Sequence, residues 1–389
     1  MKVAVTILAF CVAALLALGL VMLYSSSMPQ VGARYLEKQL VGCALGLVLC
    51  LGAAALDYRK LKKFAWPLFA LGVVLLALVF VPHIGIRRNG ASRWVGYNHA
   101  SFFQPSEFAK LTLIIALACY GERFQRQMPT FKRGLVIPGM LIGLMLALIF
   151  KEPDVGNALL LATVCGIILL LAGVRSRYLL PPVLIGALAV GLFIYHNPMR
   201  SERVYSWLHL EETKQEKGLQ AYQAMVALGS GGLTGKGLGD GRQKLGFLPE
   251  HHTDFIFSII GEELGLIATM LVVIAFVTLL ICGLYISSNA ADPFGVYLGS
   301  GITFLISLQA CINIGVVTSA LPNKGLPLPF ISYGGSNLAI MLMSVGLLLS
   351  IARFARAETG VFSRSAREND ELPGKRSRRN PFKTAKLHS

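Results

Sequence analysis

Long apolar stretches recur along the whole chain and limit what it can fold into. Most are about 17 to 25 residues long, the length that an α-helix needs to cross the hydrocarbon core of a bilayer. Hydrophobic residues make up 54% of the 389 residues and charged residues only 14%, so the apolar surface exceeds what one water-soluble core could bury. The sequence therefore predicts an all-α polytopic membrane protein.

Ten stretches qualify as membrane-spanning helices. They cover residues 4–24, 39–56, 65–82, 105–121, 134–150, 157–174, 178–195, 255–286, 294–320 and 336–355. The first could be taken for a signal peptide, but it lacks a convincing cleavage site and is too long, so we interpret it as a retained helix. We expect one transmembrane domain over residues 1–355, with a large loop at 196–254 between spans 7 and 8. Residues 356–389 are predicted to form a basic, disordered tail.

Basic residues in the short connections predict the orientation. The segments "DYRKLKKF", "ERFQRQMPTFKRG" and "VRSRY" fall on one side if there are ten spans, and the basic tail falls on the same side. Lysine and arginine accumulate in cytoplasmic loops. Both ends of the chain are therefore predicted to be cytoplasmic, and the 196–254 loop is predicted to lie outside.

The loops predicted to lie outside contain more lysine and arginine than one expects when basic residues accumulate in cytoplasmic loops. The lysines and arginines predicted to face out include Arg87, Arg88, Arg93, Arg200, Arg203, Arg242, Lys244 and Lys324. Lys324 is the most informative, because it stands alone in a turn rich in proline and glycine between two spans. It could simply extend to the membrane interface. A group of outside cations beside a membrane also suits an anionic ligand, and phosphate groups are the obvious candidate.

Two motifs suggest cofactors at first sight. "GSGGLTGKGLGDG" is not a phosphate-binding loop, since Ser230 occupies the first glycine position and Gly237 follows Lys236; we interpret it as a tightly turned loop. "EHHTD" is a poor zinc site, because consecutive residues of an extended chain point in opposite directions. Magnesium or manganese held by Asp254 together with a substrate diphosphate is more plausible, and no organic cofactor is expected.

Carboxylates surround the point where the long loop re-enters the membrane. Asp254 directly precedes an apolar run, where it could act as the helix N-cap, a role that is compatible with catalysis. Glu262 and Glu263 follow about 12–14 Å along the same helix. Carboxylates inside a membrane are candidates for a functional site, but for these two we favour a buried polar network that braces the helices.

Four segments resemble signature stretches of the SEDS family, the polytopic cell-wall polymerases that include FtsW, RodA and SpoVE. They are "FLPEHHTDFIFSIIGEELG", "FFQPSEFAKL", "KEPDVGNALL" and "LPNKGLPLPFISYGGSN". Lys324 in the last of them favours the FtsW branch. The chain departs from the family pattern in "KEPDVGN", where Gln-Pro-Asp-Leu-Gly-Thr is commoner, in "EHHTD", and at Asn337, where a second serine is commoner.

The resemblance implies a function and partners. The chain would be an inverting peptidoglycan glycosyltransferase that polymerises lipid II at the outer face of the bacterial cytoplasmic membrane during cell division. A class B penicillin-binding protein (an FtsI-like transpeptidase) and other divisome proteins would be its partners at the septum, and no nucleic acid is expected. Asp254 matches the carboxylate regarded as catalytic in the family, and Arg93 and Lys324 match basic positions thought important for activity.

The residues support a mechanism in which Asp254 acts as general base on the acceptor hydroxyl or holds the metal that activates it. Arg93, Arg203 and Lys324 would then stabilise the departing diphosphate, with Lys110 a weaker candidate because it lies within span 4. Motif membership alone adds further substrate-binding candidates: Gln104, Ser106, Glu107, Gln223, Glu250, His252, Ser332 and Tyr333.

Three alternatives remain open from the sequence. A lipid II flippase would share the multispan architecture and the intramembrane carboxylates, although here the charged groups concentrate on one face. A scaffold that recruits division proteins would leave Asp254, Lys324 and Arg93 without a shared purpose. A RodA-like polymerase of cell elongation would use the same chemistry at a different place in the cell.

Overall fold

The computed structural model describes residues 1–88, 91–97, 100–215, 218–249 and 252–370. Two predicted features fall outside these ranges in whole or in part. Glu250, expected to bind substrate, lies outside the described residues, and so does the tail from residue 371 onward.

Helices dominate the structure, and ten of those in the described part of the chain correspond one to one to the ten predicted spans. They are α1 (Lys2–Val31), α2 (Arg34–Ala55), α3 (Leu61–Leu78), α4 (Pro105–Arg123), α5 (Ile137–Lys151), α6 (Val155–Leu171), α7 (Ser176–His196), α11 (Ile256–Ser288), α12 (Pro293–Val317) and α13 (Gly335–Asp370). The long loop adds three shorter helices, α8 (Pro198–Leu208), α9 (Leu210–Thr213) and α10 (Leu219–Ser230). The predicted multi-pass helical architecture is confirmed.

Eight of the ten are long and apolar enough to cross a membrane on their own. The two others are α6, which is apolar but only 17 residues long, and α4, which carries charged residues at both ends. Every residue of α4 from Ala109 to Ala118 is buried, Lys110 included. At the other extreme, α7 has no buried residue. Helix α4 is thus at the centre of the bundle and α7 at its edge.

Two departures from the sequence prediction concern local structure. The segment between α3 and α4, treated as a loop, contains an antiparallel sheet of three strands in the order β1 (Gly85–Arg88), β2 (Ala91–Tyr97) and β3 (Ala100–Phe103). Its β-branched and aromatic residues suit strands. Helix α13 continues through residues 356–370, where the sequence predicted a disordered tail.

Helix α11 is interrupted at Gly265, which has φ 78° and ψ −172°. The glycine-rich loop after α10 fills the break, because Leu266 donates its backbone N–H to Gly232 O at 2.9 Å and Gly237 donates its own to Glu263 O at 3.0 Å. A Cβ atom at Gly265 would lie only 2.3 Å from the nitrogen of Gly235. The tightly turned loop expected from the sequence therefore supplies backbone hydrogen-bond partners where α11 is interrupted.

Glu262 and Glu263 bind the glycine-rich loop next to this break, and both are fully buried. Glu263 accepts from Lys244 Nζ at 2.6 Å and from Ser25 Oγ at 2.6 Å. Both glutamates also accept backbone N–H groups from the loop at residues 239–243, at 3.0–3.1 Å. The structure thus has the bracing network that the sequence analysis favoured. Lys244, counted from the sequence among the outward cations, is buried in it.

Candidate active site

Asp254 stands just before α11, which begins at Ile256 with Phe255, and not Asp254, at the N-cap position. Asn313 of α12 fixes the local backbone by donating to Asp254 O at 2.8 Å and to Leu326 O at 2.7 Å. The carboxylate lies against the next loop, since a Cβ atom at Gly325 would be 2.7 Å from Asp254 Oδ2. Asp254 is therefore in direct contact with the residue that follows Lys324.

Lys324 lies in the connection between α12 and α13, half-buried beside the exposed Gly325. Partial burial lowers the pKa of its ammonium from the usual value, because desolvation disfavours the charged form. Asn323 Nδ2 donates to Gln220 Oε1 of α10 at 3.0 Å. Gln223, predicted to bind substrate, lies nearly one turn further along α10. The structure thus places Asp254, Lys324 and Gln223, all predicted site residues, at one end of the bundle, called here the Asp254 end.

The loops that carry these groups are joined by short hydrogen bonds. Ser332 Oγ donates to Thr253 O at 2.5 Å and accepts from Leu328 N at 2.8 Å. Tyr333 donates its backbone N–H to His252 O at 3.0 Å. Ser332 was predicted to bind substrate, but in the structure its buried hydroxyl connects two loops.

Five fully or almost fully buried side chains form a polar network inside the bundle. The Lys110 ammonium contacts Glu107 Oε1 at 2.9 Å, Asn157 Oδ1 at 3.0 Å and Gln309 Oε1 at 3.3 Å. Asn337 Nδ2 donates to Glu107 Oε2 at 2.6 Å. An ammonium has three N–H donors, and all three are used here. Glu107 and Lys110 are thus brought close to the site but engaged with each other.

This network is connected to the loops on both sides. Gln309 Nε2 donates to Pro327 O at 2.9 Å, three residues beyond Lys324. At the start of α4, Gln104 donates its side-chain amide to Ser106 Oγ at 3.1 Å and its backbone N–H to Ser336 Oγ at 3.2 Å. The backbone of Gln104 therefore links the start of α4 to Ser336 of α13, while Ser106 holds the Gln104 side chain.

Arg93 projects from β2 onto the turn between α5 and α6. Its guanidinium donates to Pro153 O at 2.9 Å and to Glu152 O at 3.3 Å, and lies 3.8 Å from Asp154 Oδ2. The Asp154 carboxylate also accepts from Asn157 Nδ2 at 2.9 Å. Arg93 is consequently linked through Asp154 and Asn157 to the buried network.

Glu152, in the same turn, was missed by sequence reasoning. It is fully buried, and neither carboxylate oxygen has a hydrogen-bond partner in the part of the chain that the structure describes. Burial and the neighbouring Asp154 charge raise the pKa of Glu152 to about 8, against an opposing effect of Arg93. At neutral pH this side chain therefore holds a proton.

A second arginine joins Arg93 in this region. The Arg200 guanidinium lies 4.3 Å from the centre of the Phe193 ring. Burial, followed by the positive charges of Arg203 and Arg93, lowers the pKa of Arg200, while Asp154 opposes the change. Arg203, the predicted phosphate ligand, is exposed on α8. From the sequence, Arg200 was counted among the basic residues predicted to face out, but it was not proposed to bind substrate.

Tyr35, in the first turn of α2, also reaches the site, although it was not a candidate from the sequence. Its ring stacks on His252 with the centroids 4.6 Å apart and the planes 15° from parallel. The Tyr333 ring lies 4.8 Å from Tyr35 and 5.9 Å from His252. Two predicted residues, His252 and Tyr333, thus share an aromatic cluster two residues from Asp254.

A metal ion at this end would need ligands from outside the protein. Across the described ranges, no three or more His, Cys, Asp or Glu side chains are grouped so as to hold a metal ion. Asp254 offers a single carboxylate, which fits magnesium or manganese only if substrate oxygens complete the coordination.

Comparison with known proteins identifies the family. The profile of the cell cycle proteins FtsW, RodA and SpoVE matches residues 6–357. The chain belongs to this family. The FtsW, RodA and SpoVE resemblance seen in the four outside motifs is thereby confirmed.

Individual members of the family are similar over nearly their full length. The "Probable peptidoglycan glycosyltransferase FtsW" of Geobacter metallireducens is 39% identical over 87% of this chain and 92% of its own. The "Stage V sporulation protein E" of Bacillus subtilis is 36% identical over 88% of this chain and 95% of its own. A solved peptidoglycan synthase complex, described as coordinating polymerization and crosslinking, contains a chain that superimposes with a TM-score of 0.74 at 29% identity, over 90% of this chain and 97% of that one.

Proposed function

We propose that this FtsW, RodA and SpoVE family member is a peptidoglycan glycosyltransferase that polymerises lipid II during cell division, at the outer face of the bacterial cytoplasmic membrane. The names of its relatives support the activity. The observation that carries the proposal is the contact between Asp254 and the Lys324–Gly325 turn, with Arg93 and Arg200 at the same end of the bundle. A base and several cations in one region suit transfer from a diphosphate.

In the proposed reaction the acceptor GlcNAc 4-hydroxyl attacks the donor sugar carbon that bears the diphosphate. The new C–O bond forms on the face opposite the leaving group, the C–O bond to diphosphate breaks, and undecaprenyl diphosphate departs. The hydroxyl proton passes to the Asp254 carboxylate. General-base catalysis of this kind contributes about 10²- to 10⁴-fold to the rate.

Negative charge that develops on the leaving diphosphate is the larger barrier, and cations aimed at it are the most effective remedy. Lys324 directly precedes Gly325, the residue against which the Asp254 carboxylate lies, and Arg93, Arg200 and Arg203 supply further positive charge. A divalent cation, magnesium or manganese, shared between Asp254 and the diphosphate would act in the same direction.

The partners and the location follow from the family comparison as proposals. The related synthase complex that couples polymerization to crosslinking supports a class B penicillin-binding protein as partner. We place the chain in the bacterial cytoplasmic membrane with both termini inside, at the septum together with other division proteins. A tagged copy along the side wall, and not at midcell, would instead indicate a RodA-like role in elongation.

Replacement of Asp254 tests the proposal. Purified full-length Asp254→Asn, supplied with lipid II and Mg²⁺, should form no glycan chains, because its amide cannot accept the proton. The control is Asp240→Asn, which removes an exposed carboxylate from the glycine-rich loop and should polymerise normally.

Three results would contradict the proposal. Full polymerisation by Asp254→Asn would exclude both the base and the metal role of Asp254. Lipid movement across vesicles without chain formation by the unmodified protein would indicate a flippase, and neither activity would indicate a scaffold.

A further inference from the structure

The first two turns of α2 contact both loops of the candidate active site. Tyr35 is half-buried in the first turn, and its ring lies flat against His252 and beside Tyr333. Gln39, one turn later and almost fully buried, donates to Ser332 O at 3.1 Å and accepts from Gly334 N at 3.1 Å. Residues at i and i+4 share one face of a helix, so Tyr35 and Gln39 hold the two loops from the same side.

The loop that carries Asp254 is attached at several points. Ser332 bonds to the carbonyl of Thr253, Tyr333 bonds to the carbonyl of His252, and Asn313 bonds to the carbonyl of Asp254. These bonds all engage backbone oxygens. The Tyr35 ring, in contrast, contacts the His252 side chain, with the ring centroids 4.6 Å apart, two residues from the proposed base.

Helix α2 holds Tyr35 at a fixed position because it packs tightly along its length. A Cβ atom at Gly42 would lie 2.8 Å from Gly335 Cα, and one at Gly46 would lie 2.7 Å from the Leu342 side chain. Gly42 and Gly46 follow the small-xxx-small pattern that allows two membrane helices to approach closely. Tyr35 and Gln39 continue this face toward the Asp254 end.

We propose that Tyr35 is a positioning residue for glycosyl transfer, which acts by stacking on His252 and so fixing the backbone that presents Asp254. The inference rests on the proposed role of Asp254 as the base. Stacked aromatic rings are directional contacts that resist sliding and tilting. A catalytic group displaced by about 1 Å loses on the order of 10²-fold in rate.

A stacking role and a substrate-binding role predict different effects of substitutions at Tyr35. Stacking needs the ring and not the hydroxyl, so phenylalanine should replace tyrosine. A residue that binds lipid II directly would change KM, whereas a residue that only orients the base changes kcat. The ratio of the two effects therefore separates positioning from binding.

The test measures kcat and KM for lipid II polymerisation with the full-length chain. Tyr35→Leu should lower kcat by about 10- to 100-fold and change KM by less than about threefold. Tyr35→Phe should stay within about twofold of the unmodified protein. Tyr24→Leu, at an exposed tyrosine of α1, is the matched control and should also stay within twofold.

Folding is checked in parallel by gel filtration and thermal unfolding in detergent. Tyr35→Gln provides a second substitution that removes the ring, since a polar side chain is tolerated at a half-buried helix start, and it should show the same loss of kcat. The kcat of whichever variant elutes as folded protein, Tyr35→Leu or Tyr35→Gln, decides whether Tyr35 positions the base. Unmodified kcat in that variant, an equal loss in Tyr35→Phe, or an effect confined to KM would overturn the inference.

Asp254→Asn in the same assay keeps the two proposals apart. If Asp254→Asn polymerises normally, the role of Asp254 is wrong whatever Tyr35→Leu does. If Asp254→Asn is inactive while folded Tyr35→Leu is fully active, only the inference about Tyr35 is wrong.

Discussion

At the scale of single residues, Glu152 shows how a side chain can adapt to a buried position by holding a proton. A glutamic acid that is neutral resembles glutamine in shape and in hydrogen-bonding capacity, and glutamine is the commoner residue at this place in the resembling motif. Burial first, and the Asp154 charge second, raise the pKa of Glu152 to about 8. In an unfolded chain the same group has a pKa of about 4.3.

The sign of the resulting pH dependence follows from proton linkage. Between pH 4.3 and 8 the folded state binds one more proton than the unfolded state, so the free energy of unfolding falls as pH rises through this range and levels off above about pH 8. Glu152→Gln abolishes the effect. We predict that Glu152→Gln unfolds at a higher temperature than the unmodified protein at pH 8.5, and that this advantage is smaller at pH 5.5.

Thermal unfolding in detergent at the two pH values measures this difference. Glu211→Gln, which removes an exposed carboxylate, serves as the control and should show little change at either pH. An advantage of Glu152→Gln that is the same at pH 5.5 and 8.5 would contradict a buried, protonated Glu152.

Residues found from the sequence differ in kind from those that were missed. Asp254 and Lys324 stand in motifs, Arg93 was matched through the family resemblance, and an isolated lysine in an outside turn is visible in one sequence. Tyr35 contacts His252 from more than 200 positions away, and nothing in the apolar pattern of α2 marks that contact. Glu152 was hidden because burial decides its chemistry, and burial of a turn residue is a property of the packed bundle.

At the scale of secondary-structure elements, the approach of α2 to α13 depends on glycine. Gly42 faces Gly335 so closely that a methyl group would lie 2.8 Å from the opposing Cα. We predict that Gly42→Ala lowers the unfolding temperature, because one of two packed backbones must move, and overpacking of this kind costs about 1–3 kcal/mol. It should also lower polymerisation, since α2 carries Tyr35 and Gln39.

The same helix provides the control. Gly52 has no heavy atom within 4 Å of where its Cβ would be, so Gly52→Ala should be neutral or stabilise the helix by up to about 1 kcal/mol. Thermal unfolding of both variants tests the pair. Equal effects of the two substitutions would show that helix propensity, and not close packing, sets the result.

Prediction from sequence was good for long elements and poor for short ones. The helices behind all ten predicted spans were found because each contains a long apolar run, although only eight of them are long and apolar enough to cross a membrane on their own. The break at Gly265 was missed, since the apolar run continues through it and the interruption becomes stable only when residues 231–237 supply the missing backbone partners. The sheet at 85–103 is likewise too short and too irregular for a clear alternation of apolar and polar residues.

At the scale of the whole molecule, the central parts of α4, α11 and α12 lack charged side chains, which lie toward the two ends of these helices. At the end opposite Asp254, Lys62 pairs with Glu122 at 2.7 Å and with Asp292 at 2.6 Å. Along α4, Lys110 and Glu122 are separated by about 18 Å at 1.5 Å per residue, and the sequence between them contains no Asp, Glu, Lys or Arg. Residues 264–288 of α11 and 293–317 of α12 are likewise without such residues.

This distribution favours chemistry at one face over transport through the bundle. A carrier of a diphosphate-linked sugar needs polar groups along its path, because a bare charge in the apolar interior is costly. We predict that protein reconstituted in sealed vesicles polymerises lipid II only when the lipid is in the leaflet at the Asp254 end. Lipid II confined to the other leaflet should stay unconsumed until detergent mixes the two.

Orientation in these vesicles can be fixed by selecting those in which added protease removes the basic C-terminal tail, so that the Asp254 end faces the lumen. In such vesicles external lipid II should yield no glycan, and lipid II loaded inside should yield chains. Inactive Asp254→Asn vesicles provide the background. Consumption of external lipid II without detergent would mean that the protein moves its substrate across the bilayer, and the apolar middle of the bundle would then have to open during turnover.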